Sequence, residues 1–597
     1  MNKISVSILL VFLGLTGFAQ KAILNYSIDL NDRTNDTFKV DLTIDGKLSE
    51  ENAIYQFAST APGTYQTMNL GRFVTNFKAL DKKGKEIPTE KLDVNQWKIS
   101  DTKKLNKITY EIAETWDTPV EEFPIYKMCG TSIEDDHVLI NAHCVIGYPT
   151  GMQPIPLTIN LSYPENWEIG TPLEKNEKGL YYANSYDHAV DSPILLGKLT
   201  KASTELHGSD IEIYTYSKTD KISSEQLLAS MSDMLDAAGR FMINFPVEKY
   251  TFLYHFEDFD AGAWEHSYSS EYVLPEQEFT PEYGQEITDI AAHEFFHVIT
   301  PLNIHSEVIE EFNFVTPTPS EHLWLYEGTT EWASHIMQLR HNLVDLDYYL
   351  NMLQEKMIID TYYDPNVSLS ALALTSYTQE GSQQYPNIYM RGALVAGLLD
   401  IRLLELSGGK KGYREVIYEL SKRYGTDNAF PEKEFFDLFV IMTYPEIGEI
   451  FQKYVKKAEP LPMKEYYAKI GIKYTAEKNT GEIIPDLGGH LAVPDGKIRF
   501  VQLRPEIIEM GLKVNDELIK VNGTPLTFAN ANQLLGPLQQ LKIDDTYNVT
   551  IRRDNEEIDL ELKVLSIEKI DKFIFEVDEH ATEEQVALRE SWIRNLN

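Results

Sequence analysis

His293-Glu294-Phe295-Phe296-His297, with Leu323-Trp-Leu-Tyr-Glu327-Gly-Thr-Thr-Glu331-Trp332 downstream, decides how this chain is read. Residues four apart lie on one face of a helix, so the two imidazoles of the pentapeptide can reach a single cation. Glu294, one position along, stands beside that cation, where it can polarise a water. A catalytic zinc takes three protein ligands and keeps a fourth position open. Glu327, 30 residues past His297, leaves room for a helix to depart and return with the third ligand. Glu331 follows one turn later on the same face, where its carboxylate can orient a ligand histidine through the other ring nitrogen. Trp324, Leu325, Trp332 and Ala333 around the pair mark a buried polar site rather than a solvated helix face.

On either side of this stretch the pattern changes. Phe38, Val40, Leu42 and Ile44 alternate with polar residues and end at Asp45-Gly46, a strand running into a turn, and Ile108, Tyr110 and Ile112 repeat the alternation. Pro62-Gly63, Gly71, Pro119 and Pro124 punctuate this first third as they would a sandwich or barrel. Helical periodicity takes over near Ser224 and is expected to dominate to about residue 470. Alternation returns from Lys497 to Leu565, and Thr582-Glu-Glu-Gln585 is a capping box opening a last helix with Leu588, Trp592 and Leu596. Thr475 to Gly489, polar and containing Gly and Pro, reads as a linker.

The chain has 597 residues and a formal net charge of −38. At about 150 residues per domain, that length implies roughly four domains. So acidic a surface repels phosphate backbones and anionic lipid, which argues against nucleic acid and polybasic membrane docking. Lys3 precedes an apolar run from Ile4 to Phe18, too short to span a bilayer, with Gly17 and Ala19 where a signal peptidase reads. Cleavage is expected after Ala19, leaving an exported protein, periplasmic or secreted, with no transmembrane span. Cys129 and Cys144 are the only cysteines; they are either one disulfide closing a short loop or two buried thiols.

The His293-Glu-x-x-His297 and Glu327-Gly-x-x-Glu331 pair resembles the gluzincin metallopeptidases, and among them the M61 glycyl aminopeptidase family, relatives of the M1 aminopeptidases. Gly262-Ala-Trp-Glu265-His266 resembles the exopeptidase motif, which implies that Glu265 binds the substrate's free α-amine and that His266 lines the site. Tyr389-Met-Arg391-Gly392 resembles the Y-x-K-G segment, whose tyrosine stabilises the oxyanion. Pro62-Gly-Thr-Tyr65 with Gly71-Arg72 resembles a stretch of the family's N-terminal β domain. Gly511-Leu-Lys-Val-Asn-Asp516-Glu-Leu-Ile-Lys-Val521-Asn-Gly523 looks like the core of a PDZ domain, a fold that binds extended peptides or protein C-termini by strand addition. Leu487-Gly488-Gly489-His490 is the candidate for its carboxylate-cradling loop.

The resemblance implies a multidomain α+β protein: an N-terminal β-sandwich-like domain, a mainly α-helical thermolysin-like zinc catalytic domain and a C-terminal PDZ β domain. The expected boundaries are a signal peptide over 1–19, the β domain over 20–205, the catalytic domain over 206–375 with a helical subdomain over 376–475, PDZ over 476–568 and a helical tail over 569–597. One zinc per chain is expected on His293, His297 and Glu327, with Glu294 as general base, Tyr389 on the oxyanion and Glu331 behind His293. The expected activity is removal of N-terminal residues from peptides, Gly and Ala favoured. Three alternatives stay open: a zinc endopeptidase, a PDZ-led peptide-binding protein with a silent site, and a metal-free structural relative.

Overall fold

Strand Thr37–Asp45 buries Phe38, Val40 and Leu42 on one face and turns its polar residues outward. It pairs antiparallel with Ile23–Asp29 and with Leu105–Ala113, placing Val40 opposite Tyr110 and Leu42 opposite Ile108. These strands belong to an eight-stranded sheet, accompanied by two four-stranded ones. The computed structural model describes residues 23–594 apart from 121, 244, 259–260, 427, 494–496 and 528–529. The apolar run 4–18, the expected cleavage after Ala19 and Leu596 lie outside the described residues. Among the described residues, no helix is long and apolar enough to cross a membrane.

The three sheets share one apolar core that also takes in Trp264, Phe312 and Phe314, so the β-rich domain and the segment carrying the site motifs are packed as one body. Cys129 and Cys144 sit in that core as separate thiols, with the Cys144 thiol donating to the Cys129 carbonyl over 3.3 Å.

The region after Ser224 is not helical throughout. Lys249–Glu257, Gly262–His266 and Ser269–Pro275 complete a five-stranded sheet begun by Thr200–Leu206 and Ser209–Ser217. Lys249–Glu257 runs parallel to both its neighbours and is buried on both faces, so its side chains show no alternation of apolar and polar residues. Gly262–His266 forms one edge of this sheet.

Helices stack against the sheet. Ser224–Met242 starts at a capping box between Ser223 and Gln226. Pro281–Phe296 starts with Thr280 capping and Pro281 in its first turn. The two are joined by the Ser230 hydroxyl, which lies 3.1 Å from the Gly284 carbonyl and from the Thr288 hydroxyl. Thr329–Arg340 and Asn387–Ser407 cross so closely that a Cβ on Gly328 would stand 2.5 Å from the Cα of Gly392. Only paired glycines allow that backbone approach.

The chain separates into two compact units, one running to Ile472 and resuming at Val577, the other Lys473–Glu576. The last helix, Glu583–Ile593, therefore belongs with the first unit; Thr582 and Gln585 form its capping box and Trp592 is buried. The Trp592 carbonyl accepts from Arg340, whose guanidinium also pairs with Asp400 at 2.6 Å, both side chains fully buried.

The second unit is a sheet ordered Gly489–Ala492, Arg499–Leu503, Glu517–Val521, Thr546–Arg553, Glu556–Lys563, with Thr524–Pro525 on Glu517–Val521. Asn522 and Gly523 take the positive φ angles of a tight turn, +47° and +80°. The segment 475–489, expected as a linker, is largely strand: Ile472–Asp486 pairs with Leu565–Val577 in a two-stranded ribbon. Most of its residues face solvent on both sides, so no hydrophobic period marked it.

The Gly328–Gly392 approach yields a stability prediction. Gly328→Ala overpacks that crossing and is expected to cost about 1–3 kcal/mol, read as a lowered urea midpoint; an unchanged midpoint would mean that the two backbones can separate freely.

Candidate active site

The Pro281–Phe296 helix delivers His293 and Glu294 in its last turn and His297 at its C-cap. Phe295, on its opposite face, anchors it edge-on to Tyr250 and Phe245, with ring centroids 4.8 and 4.9 Å away. Each histidine spends its Nδ1 on an acceptor. His293 Nδ1 is 2.7 Å from Glu331 Oε2, and His297 Nδ1 is 3.0 Å from the Thr300 carbonyl. That fixes the tautomer and leaves both Nε2 lone pairs free to bind. Both point to one atom, Glu327 Oε2, at 3.6 Å from His293 and 3.4 Å from His297.

Glu327 lies in a π-helical turn, Trp324–Gly328, that runs directly into Thr329–Arg340. Such single-turn insertions re-aim a side chain and recur at functional sites. With Zn–N and Zn–O lengths of about 2.0–2.2 Å, the edges of a tetrahedron measure roughly 3.3–3.6 Å. The two His–Glu separations fit that size, and the donors, two imidazoles and one carboxylate, suit a catalytic zinc.

The electrostatics agree. Burial works against charge on both imidazoles, yet Glu327 and Glu331 raise His293 well above its ordinary value, while Glu265 and Glu327 bring His297 up to about 9. Burial likewise opposes ionisation of Glu327, but the two histidines outweigh it and hold the carboxyl down to about 2. The carboxylates thus demand positive charge at this point, and a divalent cation meets the demand with neutral ligands. Glu331 is itself neutralised by Lys356 from the Leu346–Asp360 helix.

Glu265, Glu294 and His297 each bring one polar atom to within 4.8 Å of the others. Glu265 comes from the edge strand Gly262–His266, opposite Ser270. Burial pushes its carboxyl up to about 8, and burial also raises Glu294. Gly63, at φ +78°, lies so tightly against this strand that a Cβ would overlap the Glu265 carboxylate. Trp264 Nε1 donates to the Pro62 carbonyl at 3.2 Å, locking the loop from the β-rich domain onto the edge strand.

Tyr389 opens the Asn387–Ser407 helix; its ring lies 5.5 Å from that of His293. Its hydroxyl is 3.3 Å from that of Tyr385, which reaches to 3.5 Å from Glu327 Oε1. Burial, then Glu327, raises both phenols well above their ordinary value, so both remain protonated donors. His266 is buried beside the Trp264 ring, 4.4 Å between centroids, with Nε2 unpartnered. A cleft of about 370 Å³ opens here, lined by Tyr65, Trp264, Glu265, His266, His305 and Tyr377 among others.

All eight residues singled out from the sequence lie in the first unit, and seven of them crowd around the Glu327 carboxylate and the edge strand, with Glu331 directly behind His293. Three neighbours were not read as site residues. Tyr385 precedes Tyr389 by one helical turn, and that spacing was the available signal. Tyr65 was noticed only as part of a motif; at φ +45° its ring lies 5.0 Å from that of Tyr385. Lys356 carried no signal, because nothing local distinguishes a lysine that turns inward to meet Glu331.

Comparison with known proteins bears on the family and the fold. The model of the peptidase M61 N-terminal domain matches residues 25–198, and that of the M61 glycyl aminopeptidase matches residues 265–395. No curated protein matches the chain. Among solved structures, an aminopeptidase N family protein from Idiomarina loihiensis superposes with a TM-score of 0.75 at 18% identity, covering 96% of this chain and 100% of that one. An M1 zinc metallopeptidase from Deinococcus radiodurans gives a TM-score of 0.48 at 12% identity, covering 74% of this chain and 95% of its own. The first likeness establishes a shared fold; the two family models, together spanning just over half of the 597 residues, carry more. The chain carries the N-terminal and catalytic domains of the M61 glycyl aminopeptidase family, and it is a metallopeptidase.

Proposed function

We propose that the protein is an exported zinc aminopeptidase that removes the first residue of peptides, with Gly and Ala favoured. The observation that carries this reading is the buried Glu265 carboxylate beside the His293, His297 and Glu327 triad. An enzyme that cuts internally has no use for an anion one residue away from the scissile bond. His293, His297 and Glu327 would hold a zinc, which when bound would supply a Lewis acid for the scissile carbonyl and a lowered pKa for the attacking water. Glu294 takes the proton from that water and returns it to the leaving amine. Tyr389, with Tyr385 beside it, donates to the oxygen where negative charge develops, a preorganised contact that strengthens only in the transition state. Glu265 receives the substrate's α-ammonium, and its raised affinity for a proton is the measure of how poorly its charge is otherwise met.

The cleft beside Glu265 holds more than a methyl group, which favours a second reading of specificity in which larger first residues are accepted. Comparing kcat/KM for Gly, Ala, Leu and Phe anilides separates the two. In the second unit we read a PDZ-like peptide-binding module. Asp516, held by Arg553 and by the Lys513 N–H at 2.7 Å, anchors the loop before strand Glu517–Val521, and Gly489–Ala492 forms an edge available to an added strand.

Three outcomes are expected. Glu327→Ala loses the catalytic zinc by elemental analysis, whereas Glu294→Gln keeps it while kcat falls roughly 10²- to 10⁴-fold; near-normal turnover in Glu294→Gln removes it as the base. Tyr389→Phe lowers kcat by about 10²-fold with KM little changed, and an unaltered kcat transfers the role to Tyr385. Glu265→Gln weakens a charge-assisted contact and costs about 2–4 kcal/mol, or ~30- to 1000-fold in kcat/KM, on free-amine substrates only. Equal losses on free and N-acetylated substrates would make Glu265 structural.

A further inference from the structure

A second buried group of metal-binding side chains lies away from the active site. His137 begins strand His137–Ile140 of the β-rich domain, and His255 and Glu257 stand two residues apart, on one face of strand Lys249–Glu257. One ligand atom from each of the three lies within 4.8 Å of the others. His137 Nε2 and Glu257 Oε1 are 3.9 Å apart, with only 2% and 8% of those side chains exposed.

The hydrogen bonds leave these atoms unspent. Asp136 Oδ1 holds His137 Nδ1 at 2.8 Å, which fixes the tautomer with the Nε2 lone pair inward, and that nitrogen has no partner. Neither ring nitrogen of His255 has one either. Lys218 takes Glu257 Oε2 at 2.8 Å and leaves Oε1 towards the histidines. The rings are set by stacking instead: His137 lies on Tyr216 with centroids 3.8 Å apart, and His255 meets His137 edge-on at 4.6 Å. Burial lowers both imidazoles, which keeps them neutral and able to donate lone pairs.

We propose that His137, His255 and Glu257 bind a second divalent cation of the zinc type, and that this ion pins the β-rich domain to the central strand of the catalytic sheet. Two imidazoles and one carboxylate are borderline-soft donors that suit zinc and disfavour calcium. An inward shift of about half an ångström between His137 and Glu257 brings their atoms to the edge length of a zinc tetrahedron. Asp136 and Lys218, which hold His137 and Glu257 from outside the cluster, are each about half exposed. The role proposed for the ion is structural, since all three of its side chains are buried, and the proposal is independent of how the peptidase site works.

The test is zinc content of the full-length protein, equilibrated with zinc and desalted. Two equivalents per chain are expected in the wild type, and one in each of His255→Gln and Glu257→Gln, with turnover retained and Tm lowered. Glu327→Ala should also hold one, but without activity, and its Tm should rise when zinc is restored to metal-stripped protein. If a variant of the cluster does not fold, cobalt titration of metal-stripped wild type replaces it, with two equivalents bound as the expected end point. A single equivalent in the wild type, by either method, overturns the proposal, as does the same zinc content in His255→Gln and wild type.

Discussion

Four buried carboxyl groups, Glu265, Glu294, Glu327 and Glu331, face one small volume, and each must either find a positive partner or take up a proton. Lys356 meets Glu331, and Glu331 in turn fixes His293. In the proposed reading, the remaining three are met by a divalent cation and one substrate ammonium, so that a free N-terminus completes the electrostatics of the site and a blocked one does not. Buried charges left unpaired are costly, whereas paired ones are tolerated. In that reading, the preference for a free N-terminus follows from the same charge balance that would hold the metal.

That balance is held by contacts reaching across the whole first unit. The Gly328–Gly392 crossing sets the distance between Glu327 and the tyrosine pair. The loop at Gly63, from the β-rich domain, closes over Glu265, and Tyr65 from the same loop lies against Tyr385. The β-rich domain is therefore a wall of the active site, not an appendage. This explains why the N-terminal and catalytic segments share a core in which Trp264 is a member.

The meeting of His293, His297, Glu327 and Glu331 was legible in the sequence because helical spacing is rigid: each pair, once helical, presents both side chains on one face. The strand Phe38 to Ile44 was legible for the same reason, a strict period of two. Legibility failed where a side chain's fate depends on distant partners. Lys249–Glu257 is buried on both faces and so loses its alternation; the ribbon at 472–486 is exposed on both and never had one. Lys356 and the His137, His255 and Glu257 group are joined only by the fold, across separations no local pattern records.

The most direct test of the central claim is mass spectrometry of an unblocked peptide of ten or so residues, digested by zinc-loaded protein, alongside the same peptide N-acetylated. A ladder of products shortened one residue at a time from the N-terminus is expected for the free peptide, vanishing with chelator, and no products for the acetylated one. Internal fragments appearing from both peptides at similar rates would contradict it.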